Sequence, residues 1–244
     1  MDDHPTGERI TRRASLLRLA GLVGGAVGLR AFGSAAARAE TAGTTGAGSG
    51  TVACVLTPET TEGPYYIPVG IRRRDITAGR PGTPLTLRLS VVDASTCRPI
   101  RGATVDIWHC DAGGLYSGYT RGSGGGGSRQ RPTDATRFLR GARTTGPAGV
   151  AVVDTIYPGW YPGRTVHVHV KVHVRGNVVH TGQLYFPETV TAAVYARTPY
   201  SARRNRDTTN AGDRIFGSGG ARSMLRLRRA GKGYVGSITM GVQD

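Results

Sequence analysis

The stretch that decides the fold is Val166-His167-Val168-His169-Val170-Lys171-Val172-His173-Val174. Valines hold 166, 168, 170, 172 and 174, and polar or ionisable groups hold 167, 169, 171 and 173. A period of two predicts a β-strand with one dry face and one face carrying something else. On such a strand His167 and His169 point the same way, Cα atoms roughly 6.5–7 Å apart, so both imidazoles can meet on one metal ion. On a helix the same spacing would place them on opposite sides. Tyr161 lies six residues before His167, in the turn Gly159-Trp160-Tyr161-Pro162-Gly163, which can fold a phenol back towards the strand. Gly113-Gly114-Leu115-Tyr116 offers a second tyrosine at the end of another strand.

The same periodicity extends outward. Leu85–Val92, Ala103–Trp108, Phe138–Thr144 and Val150–Ile156 read as strands. Gly176-Asn177 reads as a tight turn returning Val178–Phe186 beside the histidine strand, and Met224–Leu227 with Tyr234–Met240 closes the sheet. Glu188–Arg197 is the one short helical candidate, and 201–213 is a polar loop. Thr57–Tyr66 reads as an extended arm, because Pro58 and Pro64 forbid a regular helix. The expected fold class is all-β, a β-sandwich with long loops and little helix. The Gly122–Ser128 run has linker composition, but one β pattern continues on both sides, so it reads as a flexible loop beside the site.

Thr11-Arg12-Arg13-Ala14-Ser15-Leu16-Leu17, a short apolar run from Leu19 to Leu29 and Ala37-Arg38-Ala39 have the layout of an export signal, with adjacent arginines of the twin-arginine type. Residues 1–39 are therefore expected to be a signal, 40–56 a flexible tether and 57–244 the working domain, extracellular or periplasmic. Export permits one disulfide among Cys54, Cys97 and Cys110. Cys97 and Cys110 lie at opposite ends of one strand, which argues against that pair; Cys54 with either remains open. The chain has 244 residues, 38 of them glycine, and a formal charge of +16. The arginines are dispersed and no nucleic-acid motif or aromatic platform appears, so nucleic acid is not an expected partner. The charge suits steering of anionic aromatic acids and weak association with anionic or lignin-derived polymers.

Phenolate is a hard, strongly donating anion that suits Fe(III), and imidazole tolerates iron. Two phenolates and a hydroxide would cancel the three charges of the ion and let the site be buried cheaply. Zinc more usually recruits three histidines, cysteines or a carboxylate.

Asp106-Ile107-Trp108-His109, then Gly114-Leu115-Tyr116-Ser117, then Pro158-Gly159-Trp160-Tyr161, then Arg164 three residues before His167-Val168-His169, resembles the intradiol ring-cleavage dioxygenase family. Gln183, fourteen residues past His169, stands where that family keeps an active-site glutamine. The likeness runs from about Thr57 to about Asp213 and is strongest to the secreted, single-domain branch. It implies Fe(III) held by Tyr116 and His169 in equatorial positions and by Tyr161 opposite His167. Catechol would bind as its dianion, giving protons to a bound hydroxide and to Tyr161, and O2 would open the ring to a cis,cis-muconate-type diacid. Arg164 would act electrostatically, Gln183 would position substrate, and Gly63, Pro64 and Tyr65 would roof the pocket.

Other conspicuous residues get plainer expectations. His173 is solvent or rim, Trp108 is core, and His109 is no more than a neighbour of the site. His180, on the neighbouring strand, could hydrogen-bond near the site but is not an expected ligand. Tyr119, Tyr185 and Tyr195 are core or rim, and nothing in the chemistry needs Glu59 with Glu62. The competing readings are a non-catalytic extracellular β-sandwich that binds polysaccharide or aromatic polymer, and a zinc hydrolase, which would lack a general-base carboxylate beside the histidines.

Overall fold

The computed structural model describes residues 54–68, 70–121 and 130–243. The expected signal, residues 40–53 of the expected tether and the Gly122–Ser128 loop lie outside them. Eight strands form two sheets. β1 (Pro84–Asp93), β4 (Val150–Ile156), β7 (Arg226–Ala230) and β8 (Gly233–Val242) make one, in the order β4-β1-β8-β7. β2 (Thr104–Trp108), β3 (Arg140–Thr144), β5 (His167–Val174) and β6 (Asn177–Tyr185) make the other, in the order β3-β2-β5-β6. All pairs are antiparallel except β1 with β8. Among the described residues, helix is limited to α1 (Glu188–Tyr195), the single turn α2 (Arg214–Gly217) and short 3-10 turns.

Alternation explains the sandwich. Leu85, Leu87, Leu89 and Val91 of β1 point inward, as do Val105 and Ile107 of β2 and Val168, Val170 and Val172 of β5, and all are buried in one core. The β5–β6 turn falls on Arg175 and Gly176, both with positive φ (51° and 86°), one residue earlier than the expected Gly176-Asn177. Two successive left-handed residues give the twist that suits a two-residue hairpin.

The tail of the expected tether is tied down. Cys54 is bonded to Cys97, Leu56 bridges Gly241, and Cys110 is the free, buried cysteine. From there the arm meets the free edge of β6, where the Thr60 amide donates to the Thr181 carbonyl, and then crosses the outer face of β5, where Glu62 pairs with Lys171 and Gly63 lies against His169. That face of β5 is consequently not open to water: His167 and His169 are 2% and 1% exposed.

Candidate metal centre and its surroundings

Cross-strand register lays out the site. Trp108, His169 and Gln183 form one row across β2, β5 and β6, and His167 pairs with Tyr185 in the next. Paired residues share a face of the sheet, so the outer face of this sheet carries them all. Trp108 stacks on the His169 ring with centroids 4.8 Å apart and planes 9° apart. Trp108 is buried as expected, but in the aromatic cluster on the site's side of the sheet and not between the sheets. Val105 and Ile107 point inward, so Asp106 and Trp108 point outward. His109 sits between the sheets, its Nε2 2.7 Å from Thr155 Oγ1 on β4 and its Nδ1 2.7 Å from the Cys110 carbonyl. Burial pushes its pKa down to about 4.

The two tyrosines arrive on turns that lock together. Asp111 Oδ1 accepts the Gly113 and Leu115 amides at 2.9 Å, shaping the turn that delivers Tyr116. Gly159, ahead of Tyr161, donates its amide to the Asp111 carbonyl at 3.0 Å. A Cβ on Gly159 would come within 2.4 Å of that carbonyl oxygen, and one on Gly114 within 2.1 Å of the Trp160 carbonyl. No side chain fits at either position. Arg203 stacks over Trp160 at 4.0 Å and donates to the Trp160 carbonyl at 2.6 Å, clamping both turns from the loop that read only as polar.

The result is convergence. Tyr161 Oη lies 3.1 Å from His167 Nε2, which lies 3.1 Å from His169 Nε2. The Tyr116 ring lies edge-on to Tyr161 and to His169, with centroids 5.7 and 6.0 Å apart. His167 Nδ1 faces the Thr165 carbonyl at 2.7 Å, so that nitrogen carries the proton and Nε2 keeps its lone pair. His169 is held by packing instead: Trp108 on its flat side and Gly63 beside Cε1, where a Cβ would come within 3.1 Å. Burial, then the charge of Arg164, depresses the His167 pKa; burial, then His167, depresses that of His169. Burial raises both phenols above the ordinary tyrosine value.

Among the described residues no group of three or more His, Cys, Asp or Glu could hold a metal. The donor set is two neutral imidazoles and two phenols, which fits a hard trivalent ion better than zinc. Bound as phenolates, the tyrosines would supply the negative charge that this buried pocket lacks.

Arg164 reaches three partners: Nε donates to Asp213 Oδ2 at 2.9 Å, Nη1 to Tyr161 Oη at 3.5 Å and Nη2 to Gln183 Oε1 at 2.5 Å. Gln183 also accepts from Tyr185 Oη at 3.1 Å and donates to the Thr61 carbonyl at 3.2 Å. Tyr65 stacks on Tyr116 at 4.6 Å, placing Gly63, Pro64 and Tyr65 over the phenol and imidazole. A cavity of about 650 Å³ opens beside Arg164, walled by Thr60 and Thr61 of the arm and by Gly163, Arg214 and Ile215.

The remaining residues stand apart. Glu62 pairs with Lys171, whose ammonium sits 3.9 Å over the Tyr66 ring, and Glu59 accepts the Thr181 amide at 3.2 Å. They form no carboxylate pair. Tyr66 Oη donates to Asp106 at 3.0 Å, and burial pushes that carboxyl up to about 6. His173 lines a separate hollow with Tyr66 and Asp106, while His180 is buried opposite Val172, three residues along β5 from His169. Tyr119 packs on Tyr65, Tyr195 on Tyr200, and Tyr185 faces His167 at 6.3 Å.

A family model described as dioxygenase matches residues 61–195. No curated protein sequence matches the chain. Among solved structures, an intradiol ring-cleavage dioxygenase from Tetranychus urticae is 36% identical, covers 78% of this chain and 95% of its own, and superposes with a TM-score of 0.75. The dioxygenase domain of a dioxygenase–carbohydrate-binding fusion from Streptomyces sp. SirexAA-E is 32% identical, covers 78% and 99%, and has a TM-score of 0.57. A hydroxyquinol 1,2-dioxygenase from Pseudomonas putida DLL-E4, 18% identical over 78% of this chain and 67% of its own, shares the fold at a TM-score of 0.56. By its fold, its family match and these relatives, the chain belongs to the intradiol ring-cleavage dioxygenases and is an oxidoreductase.

Proposed function

We propose that Tyr116, Tyr161, His167 and His169 hold a ferric ion, and that the enzyme uses it with O2 to cleave catechol-type rings between the two hydroxylated carbons, giving cis,cis-muconate-type diacids. The observation that carries this reading is the convergence of two phenols and two imidazole nitrogens in one buried pocket. Ferric iron, when bound, makes a chelated catechol electron-rich at carbon and open to dioxygen. Tyr161 takes a catechol proton at its Oη, beside Arg164. Arg164 presents a fixed cation where the ring carbon gains negative charge. Gln183 holds the far end of that guanidinium. Gly63, Pro64 and Tyr65 keep water off the Tyr116 side, and substrate enters through the cavity between arm and α2.

The protein works outside the cytoplasm in this reading, extracellular or periplasmic, supported by the twin-arginine-type pattern and by the Cys54–Cys97 disulfide. Weak association with anionic or lignin-derived polymers is supported by the charge of +16 and by exposed Arg88, Arg226 and Arg228 on the outer side of the β1–β8–β7 sheet.

The test is visible absorption of the protein loaded with ferric iron, then with catechol under nitrogen. A broad blue-green band that moves to longer wavelength with catechol is expected from phenolate and then catecholate donation. A protein that stays colourless with iron supplied removes the ligand set.

A further inference from the structure

We infer that Asp213 is the positioning residue that aims Arg164, and that it ties this aim to the α2 turn walling the cavity; this rests on the reading of the site just given. The Asp213 side chain is 1% exposed although it sits in a loop. Its two oxygens serve different masters. Oδ2 accepts Arg164 Nε at 2.9 Å and the Thr165 amide at 2.8 Å. Oδ1 accepts the Ile215 amide at 2.7 Å and the Phe216 amide at 3.2 Å, capping the first turn of α2.

The guanidinium is planar, so fixing Nε fixes the direction of both Nη groups. With Nε on Asp213, Nη1 faces Tyr161 Oη and Nη2 faces Gln183. Thr165 lies between Arg164 and His167 in the chain, so the second bond to Oδ2 also pins the backbone that enters the histidine strand. Buried and multiply bonded, the carboxylate has no freedom to let Arg164 swing. Arg214 and Ile215 follow it directly and face the cavity, so a displacement of that wall by an entering molecule bears on Arg164 through one side chain.

The experiment is a double-mutant cycle on the iron-loaded enzyme with catechol. Asp213→Asn keeps the volume and one acceptor for α2 but turns a donor towards Arg164 Nε. Its kcat should fall about 30- to 100-fold with KM within about threefold, since a misplaced group costs turnover rather than binding. Arg164→Ala combined with Asp213→Asn should be no slower than Arg164→Ala alone. Additive losses overturn the proposal, because a merely structural aspartate would add its effect to any background.

A second readout needs neither iron nor turnover. In the metal-free, unmutated protein the Arg164 Nε–H resonance should exchange with solvent at least about a hundredfold more slowly than an exposed arginine, the behaviour of a buried bonded proton. Free exchange there overturns the proposal even if Asp213→Asn does not fold. If the unmutated enzyme takes no iron and cleaves no catechol, the site reading fails, and the exchange measurement still decides Asp213.

Discussion

The two faces of β5 differ in who completes them. The inner face is valine at every second position, and it meets the leucines of β1 across the sandwich. Any β-branched, apolar residue of similar size would serve there. The outer face holds His167 and His169, and its partners come from far along the chain: Trp108 on β2, Tyr116 and Tyr161 on turns, Gly63 and Tyr65 on the arm, Asp213 beyond α1. The inner face is generic and stabilises the fold; the outer face is specific and carries the proposed site. Stability and function are therefore separable on one strand.

The sharpest break of that comparison is His169→Ala. It should lower ferric affinity by far more than about 100-fold, the cost of losing even an outer-shell partner, with little change in the denaturation midpoint. Iron per protein after loading measures this; full loading would sink the ligand assignment. Tyr161→Phe comes next. It should retain some iron, change its colour and slow turnover about 10²- to 10⁴-fold, the range for a lost acid–base group; unchanged kcat would remove Tyr161 from proton transfer.

On the other face, Val170→Ala should cost about 2 kcal/mol by emptying part of the core, while iron content and the visible band stay as they were. Chemical denaturation read beside the spectrum checks both halves. A change in the band would mean that the two faces are coupled after all.

The smaller effects are pH-dependent and opposite in sign. Asp106, on the outer face, titrates near 6 when folded, above its ordinary value of 3.8. The folded state holds its proton more tightly, so its contribution is full below pH 3.8 and is lost as pH rises through 6. Asp106→Asn should remove that loss and gain about 3 kcal/mol at pH 8. Equal stability of the two proteins at pH 8 would show the carboxylate is paid for by Lys171 and Tyr66. His109, between the sheets, titrates near 4 against an ordinary 6.5. Its contribution is full above 6.5 and falls as pH drops towards 4, because the unfolded chain takes the proton first. Metal-free Asp106→Asn protein, which lacks the opposing carboxyl, should therefore lose stability between pH 6.5 and 4, and more steeply than the same protein carrying His109→Gln; equal slopes would contradict a neutral buried His109.

Much was legible from the chain alone because it is local. Period-two alternation is a property of consecutive residues, so β1, β2, β4 and β5 were readable to within a residue or two. His167 and His169 share a face by the same rule, and Tyr116, Tyr161, Arg164 and Gln183 came from ordered motifs. Trp108 reads as buried from its own side chain, and which side of the sheet it is buried on follows from the alternation with Val105 and Ile107. Asp213 and Arg203 lay in a polar loop with no period to mark them.

What only the tertiary structure decided follows from distance in the chain. Sequence alone determined which residues alternate and which could donate to a metal, because backbone geometry makes neighbours predictable. It could not choose between Cys97 and Cys110 for Cys54, say that the arm seals the histidine face, or say that one buried carboxylate caps α2 and holds Arg164. Those contacts join segments dozens of residues apart, and they form only because the packing of two sheets brings their ends together.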